Sequence, residues 1–246
     1  MKTFTRLLIV VSAMLLTGPA LAVDLDSERI ATGQFEYRTT LQVGDTVVDI
    51  DSSRILSRDP EGPMKIETIT RTGMGEARDV LELHAETLQP VRREVRQGDG
   101  DMVIDYSAEQ VTGYIRAAGQ TVSVDVELDE PAYAGESGLE ALLSAMAYEA
   151  GLKTEVHILE IDVATRVRHF RLKVGNLEQI ETPAGRYKAW PVHVKAIDEF
   201  DDEQTIWISH SLPHVFLLAK APVPDEMGGG SLVTTLLSWD EHEDSK

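Results

Sequence analysis

The eight residues TVSVDVEL, positions 121–128, alternate without a break. Val122, Val124, Val126 and Leu128 fall on one side, Ser123, Asp125 and Glu127 on the other. A period of two is the repeat of an extended strand, so a chain dominated by it must build sheet with one dry and one wetted face. The pattern recurs in QFEYRTTLQV (34–43), where it aligns Phe35, Tyr37, Leu41 and Val43. It returns in VRREVR (91–96), DMVIDY (101–106), RHFRLKV (168–174), YKAWPVHVKAI (187–197), QTIWIS (204–209), HVFLLAK (214–220) and SLVTTLLSW (231–239). Turn-forming clusters separate these runs: Gly44-Asp45, Gly98-Asp99-Gly100, Gly175-Asn176 and residues 198–202. Short strands punctuated in this way imply an antiparallel, mainly β architecture. Parallel crossovers would need repeated long helices, which the sequence lacks. With no internal repeat or linker, residues 23–246 are expected to form a single β-rich domain, ending in a short, disordered acidic tail over about 240–246.

One segment breaks the period. In SGLEALLSAMAYEAGL (137–152), Leu139, Leu142, Leu143, Met146 and Ala147 follow helical spacing. Ser137 three residues before Glu140 reads as a capping box, and Gly151 as the stop. A helix of about 137–150 is marginal alone and must dock. The expected fold is therefore a single curved antiparallel sheet, or a partly open β-barrel, with one amphipathic helix packed on its concave side.

The first 22 residues carry an address. Lys2 and Arg6 precede an apolar run from Leu7 to Leu16, and Ala20-Leu21-Ala22 supplies the small residues of a cleavage site. The run is shorter than the ~20 residues that span a bilayer, so a cleaved signal peptide is expected, with no transmembrane anchor in the mature chain. The chain has no cysteine, which removes disulfides, thiolate metal sites, cysteine catalysis and a lipid-bearing N-terminal cysteine. The expected location is the periplasm, and not as a lipoprotein. The 224 residues left hold 21 basic and 42 acidic side chains, a formal charge of −21. That field opposes binding to nucleic acid.

Few motifs carry chemistry. TPAGRY (182–187) joins two alternating runs, and Pro-Ala-Gly there is turn chemistry rather than a phosphate loop, which would lead into a helix with Lys-Ser/Thr. Pro191 in the following strand points to an edge or a bulge. IDEFDDEQ (197–204) crowds five carboxylates, but its spacing is not that of a calcium loop, and a solvated hairpin tip is the simpler reading. His84, His157, His169, His193, His210, His214 and His242 show no HExxH, and Pro213 prevents a helix from aligning His210 with His214. MGGGSLVTTLL (227–237) lacks the Lys-Ser/Thr of a nucleotide loop, and its glycines suit a hinge or bulge. Gly-x-Ser-x-Gly is absent, which disfavours a serine hydrolase. Arg92, Arg93, Arg96, Arg166, Arg168 and Arg171 are the basic clusters, and cross-strand pairing with Glu and Asp is expected for them.

The order of these features resembles the exported domain of unknown function 3108 family. The resemblance rests on LELHAETLQPVRREVRQGDGDMVIDY (81–106), with its Thr-Leu-x-Pro turn from Thr87 to Pro90, and on VTGYI (111–115). It continues through the helix before Gly151, VGNLEQIETPAGRYKAWPVHV (174–194) and QTIWISHSLPHVFLL (204–218), covering about residues 33–239. It implies an exported β-rich domain and brings no activity with it. By analogy of fold it also points to lipoprotein-carrier half-barrels, in which a curved sheet and a helical lid hold acyl chains. HSLPHVFLLAK (210–220) stands where the family carries basic residues, so no anion site is carried over there.

The functional expectation is a non-enzymatic periplasmic protein with no cofactor, no metal site and no catalytic residue. A lipid or other apolar or amphipathic ligand would lie between sheet and helix, lined by Tyr37, Leu142, Met146, Phe170, Trp190 and Trp207. The same residues would serve equally as ordinary core. An alternative is a structural or assembly module that binds an envelope protein partner through a sheet edge near Pro191. A third reading, ranked last, is a hydrolase that uses paired carboxylates such as Asp105 and Asp125, which would have to face one cleft.

Overall fold

The computed structural model describes residues 24–241 apart from 61, 74, 162–164 and 199–201; the signal-peptide segment, the centre of the acidic loop and residues 242–246 lie outside the described residues. Sixteen strands form one sheet. In chain order they are β1 (Gly33–Val43), β2 (Thr46–Arg58), β3 (Met64–Thr72), β4 (Gly75–Leu83), β5 (Pro90–Gln97), β6 (Gly100–Tyr106), β7 (Gln110–Ala117) and β8 (Gln120–Glu127). The short β9 (Tyr133–Ala134) precedes the helix α1 (Ser137–Ala145). Then follow β10 (Lys153–Glu160), β11 (Arg166–Val174), β12 (Glu178–Thr182), β13 (Gly185–Ala196), β14 (Glu203–Ser209), β15 (Phe216–Val223) and β16 (Gly230–Glu241). The hydrogen-bonded order is β8-β7-β6-β5-β4-β3-β2-β1-β16-β15-β14-β13-β11-β10-β9, with β12 alongside β13. Neighbours are antiparallel except β9 on β10. The expected mainly β, curved, partly open sheet with one helix is the fold observed.

The helix is shorter and more enclosed than its sequence implies. Every residue from Ser137 to Ala145 is buried except Glu140. A helix buried all round belongs inside a core, not across a groove. Leu139, Leu142 and Leu143 enter the larger core with Phe35, Val192, Ile206 and Phe216, while Ala141 and Ala145 pack against Met64, Ile66, Leu81 and Leu83. Gly138 allows β9 to approach, since a Cβ there would lie 2.7 Å from that of Ala134. The single charged residue, Glu140, accepts a hydrogen bond from the Arg54 guanidinium on β2, and both side chains are largely buried.

The expected capping box does not form. Glu136, at φ +52°, is the N-cap and makes no side-chain cap bond; Ser137 is already helical. The helix also stops a full turn before Gly151, because residues 24–29 cross its end. The Asp26 N–H donates to the Ala145 carbonyl (3.0 Å), the Arg29 guanidinium donates to the same oxygen (3.1 Å), and Leu25 bridges Met146. Those two donors satisfy a carbonyl that another helical turn would have engaged.

Among the described residues no hydrogen bonds close the sheet; it laps over itself. Cross-strand register places Ile104, Val111 and Val124 on the same face as Leu81, the face turned toward the helix. Register likewise places Leu159 and Val167 opposite Ile158 and Phe170, on the outer face of β10–β11. Ile104, Val111, Val124 and Leu159 nevertheless form one buried cluster, with Val167 packed against it. The inner face of β6–β8 therefore covers the outer face of β10–β11, and the sheet is a spiral with a dry seam. Sequence periodicity misses this, because a strand buried on both faces shows no alternation.

Several local expectations meet different outcomes. The 182–187 segment is a hairpin turn, with Thr182 paired to Gly185 and Gly185 at φ +138°. Pro191 does not mark an edge: β13 is flanked by β14 on one side and by β12 and β11 on the other. It sits where the neighbour changes from β12, paired to 185–189, to β11, paired to 192–196, so one ladder is already interrupted there. Asp240 and Glu241 belong to β16, so the strand reaches two residues into the stretch expected to be a tail. Gly228 to Gly230 form the tight entry to β16, where a Cβ on Gly230 would lie 2.0 Å from the Gln42 carbonyl oxygen.

Two substitutions test this account. Leu159→Asp would be close to neutral on the outside of a simple barrel; here it should destabilise by about 3 kcal/mol or more in urea unfolding, because the carboxylate is buried in the seam. Glu140→Leu strands the Arg54 guanidinium and should cost about 3 kcal/mol, whereas Arg54→Met with Glu140→Leu should recover most of that loss.

Candidate functional site

The curved sheet encloses more space than the helix fills. Along its inner face Ile206, Ala219, Thr234 and Thr39 are successive cross-strand neighbours, and the next rung toward the open end carries Ala221, Leu232, Leu41 and Val48. At that end the helix N-terminus leaves a cavity of about 330 Å3. Its walls are Ile158, Phe170, Ile206, Phe216, Leu232 and small residues, and Glu136 and Glu140 form its polar side. It shares Glu160, Phe170, Gln204 and Ala221 with a wider mouth of about 790 Å3. Both volumes fall in the range of small-ligand sites, roughly 300–1,000 Å3.

The floor is electrostatic. Arg93 meets Asp79 at 2.7 Å and Glu136 at 2.6 Å, and Arg54 meets Glu140. Burial weighs against the Arg93 charge, but the hydrogen bond and charge of Asp79, with Glu136, outweigh it and hold the guanidinium protonated more firmly than usual. Burial draws Arg54 below its ordinary range, opposed by Tyr37, Asp79 and Glu136. Tyr37 lies under that guanidinium at 5.0 Å and donates to the Phe216 carbonyl at 3.2 Å; burial pushes its hydroxyl up to about 12. It is neutral at any physiological pH.

The mouth is organised by Arg168, whose side chain is 5% exposed and contacts Asp198 (2.7 Å), Asp202 (2.7 Å) and Glu160 (3.3 Å). The hydrogen bonds it donates to Asp198 raise its pKa most, against the effect of burial, with Asp202 and Glu160 adding to the rise. The described part of the acidic loop is thus an anchor for Arg168 rather than a bare hairpin tip. The other five arginines also pair: Arg92 with Glu94 and Asp105, Arg93 as above, Arg96 with Glu94, Arg166 with Glu160 and Arg171 with Glu155. Arg92, Arg93, Arg166 and Arg171 thus reach an acid on a neighbouring strand, the arrangement expected for them, whereas Arg96 meets Glu94 on its own strand.

Of the six proposed lining residues, Phe170 faces the open cavity. Tyr37 lines a separate void of about 20 Å3, room for about one water. Leu142 and Met146 are wholly buried in the core. Trp190 stacks on Tyr148 at 6.0 Å. Trp207 lies outside, its indole N–H donating to Glu178 and Lys220 over its ring. Sequence reasoning missed Ile206, Phe216, Ala219, Ala221 and Leu232, whose alternation was visible but whose position relative to the helix was not.

Asp105 and Asp125 do not face a cleft. Both pair with Thr112, on the face opposite Ile104, which separates them by about 9–10 Å across the exposed convex surface. Asp105 binds Arg92, and Asp125 accepts from Gln110 at 2.7 Å. Among the histidines, His193 meets Thr205, His210 lies edge-on to Trp190, and buried His214 lies edge-on to Tyr148. His157 and His169 are cross-strand partners on the outer face and share Glu130.

Among the described residues no helix is long and apolar enough to cross a membrane. No curated protein matches the chain significantly. The fold is similar to a crystal structure of a β-barrel-like protein of domain of unknown function DUF1849 from Brucella abortus, with TM-score 0.61 and 10% identity over 90% of this chain and 100% of that one. A weaker match is the hypothetical lipoprotein YmcC from Escherichia coli, with TM-score 0.36 and 13% identity over 82% of this chain and 86% of that one. A family model described as protein of unknown function DUF3108 matches residues 33–235, and the chain belongs to that family.

Proposed function

We propose that the protein is exported to the periplasm and there binds, without catalysis, an envelope ligand with an apolar tail. The observation that carries this reading is the open cavity of about 330 Å3 between the helix N-terminus and the apolar inner wall. A tail would lie against Phe170, Ile206 and Leu232. The mouth, with Glu160, Asp202 and Glu203 against Arg168 and Lys195, suits a headgroup that is neutral, zwitterionic or cationic. The engagement of Asp105 by Arg92 and of Asp125 by Gln110, on a convex surface, supports a non-enzymatic role over the carboxylate hydrolase.

A second reading has its own observation. The spiral leaves β8 as a terminal strand, and Val122 on it is 61% exposed. An envelope protein could add a strand there. Val122→Lys should abolish such a complex in a periplasmic pull-down and leave ligand binding untouched.

Native mass spectrometry of protein purified from a periplasm should show a stoichiometric small molecule, identified as a lipid or amphiphile after extraction. Ala219→Trp fills the cavity and should remove that mass while the fold is retained. Protein that stays empty when offered mixed envelope lipids sinks the carrier reading. The same spectra test export, since cleavage after Ala22 gives a chain that begins at Val23.

A further inference from the structure

We infer that Glu130, His157 and His169 form a binding site for a divalent metal ion of the zinc class, which clamps the outer lap of the spiral to its inner end. His157 on β10 and His169 on β11 are directly opposed antiparallel partners, with ring centroids 4.4 Å apart and planes tilted by 43°. Glu130, in the connection from β8 to β9, reaches both: one carboxylate oxygen is 3.0 Å from His157 Nδ1 and the other 3.3 Å from His169 Nε2. One ligand atom from each of the three residues lies within 4.8 Å of the other two.

Two ligands on a tetrahedral zinc ion, with bonds of ~2.0–2.1 Å, stand about 3.3 Å apart. Each imidazole already has that spacing to a carboxylate oxygen, His157 to one and His169 to the other, so the carboxylate holds the ion through both oxygens or turns to present one. Rotation of one exposed imidazole closes the third separation, between the two rings. Two neutral imidazoles and a carboxylate are a donor set that suits zinc and leaves a fourth position for water. A bound cation would also replace two imidazole groups competing for one carboxylate by three bonds to a single centre. All three groups are partly exposed, so an ion can enter. The charged neighbours on the adjoining rung, Arg171 and Glu155, neutralise each other at 2.8 Å. The site lies on the outer face, away from the cavity, so it stands or falls apart from the proposed ligand.

The three segments give the ion a structural task. Residues 128–132 carry the chain from β8, on the outside of the overlap, to β9, on the inside. An ion held by Glu130, His157 and His169 ties that crossing to β10 and β11, beside the Leu159–Val167 seam.

The test uses tag-free protein, stripped with chelator and titrated with zinc alone by calorimetry. One equivalent should bind with micromolar or tighter affinity, raise the melting temperature and be displaced by chelator. Cobalt in its place should give the visible absorption of a low-coordinate nitrogen and oxygen site. His157→Ala, His169→Ala and Glu130→Gln should each weaken binding at least tenfold with the circular dichroism spectrum unchanged, whereas His193→Ala should bind as the parent does. No saturable binding by the parent chain, or binding undiminished in the His157→Ala/His169→Ala double variant, overturns the assignment.

Discussion

A helix without a solvent face is the constraint on which this architecture depends. Eight of the nine residues of α1 are buried, so the rest of the chain, mostly sheet, must enclose it. A flat sheet could cover one face only. Sixteen strands wound into a spiral cover them all, and the side chains at the start of the helix decide how the winding is held. Glu140 engages Arg54 on β2, and Glu136 engages Arg93 on β5. Those contacts join the helix to the lobe that continues outward to the seam. At its other end Asp26 and Arg29 take up the Ala145 carbonyl, so the residues that precede β1 also set where the helix stops.

Much of this was legible in the chain. Alternation located β1, β5, β6, β8, β11 and β13 to β16, and proline-glycine chemistry located the 182–185 turn. The long β2 and β3 escaped notice because polar residues such as Ser52, Arg54, Thr68 and Thr70 occupy inward positions that a simple apolar pattern reserves for Val or Ile. The helix begins at Ser137 as its sequence implies, but its C-terminal end was misplaced because the local stop signal, Gly151, was overruled by contacts from Asp26 and Arg29, more than a hundred positions away. The seam was hidden for a different reason: Ile158 and Leu159 are both buried, on opposite faces, and consecutive apolar residues carry no face information. The histidine pair needed a register, and Glu130 needed the crossing between β8 and β9; neither can be read from spacing alone.

The interior combines apolar walls with paired charges, and each charge has a partner from another element. That arrangement keeps Tyr37 and the arginines in fixed ionisation states while leaving the upper inner wall, around Leu232 and Val48, open to solvent. Packed core and cavity thus occupy successive levels of one funnel. The same strand alternation generates both, and the helical spacing that placed Leu142 and Met146 inside does not tell one level from the other.

In a closed barrel the diameter is set by strand number and shear, because the first and last strands share hydrogen bonds. Here β8 and β9 are the two ends of the hydrogen-bonded path, and the overlap is made of side chains such as Ile104, Val124 and Leu159. The bore is therefore set by how those buried side chains interlock rather than by a count of strands, so a larger residue at the seam would have to be taken up by the winding while every strand keeps its neighbours.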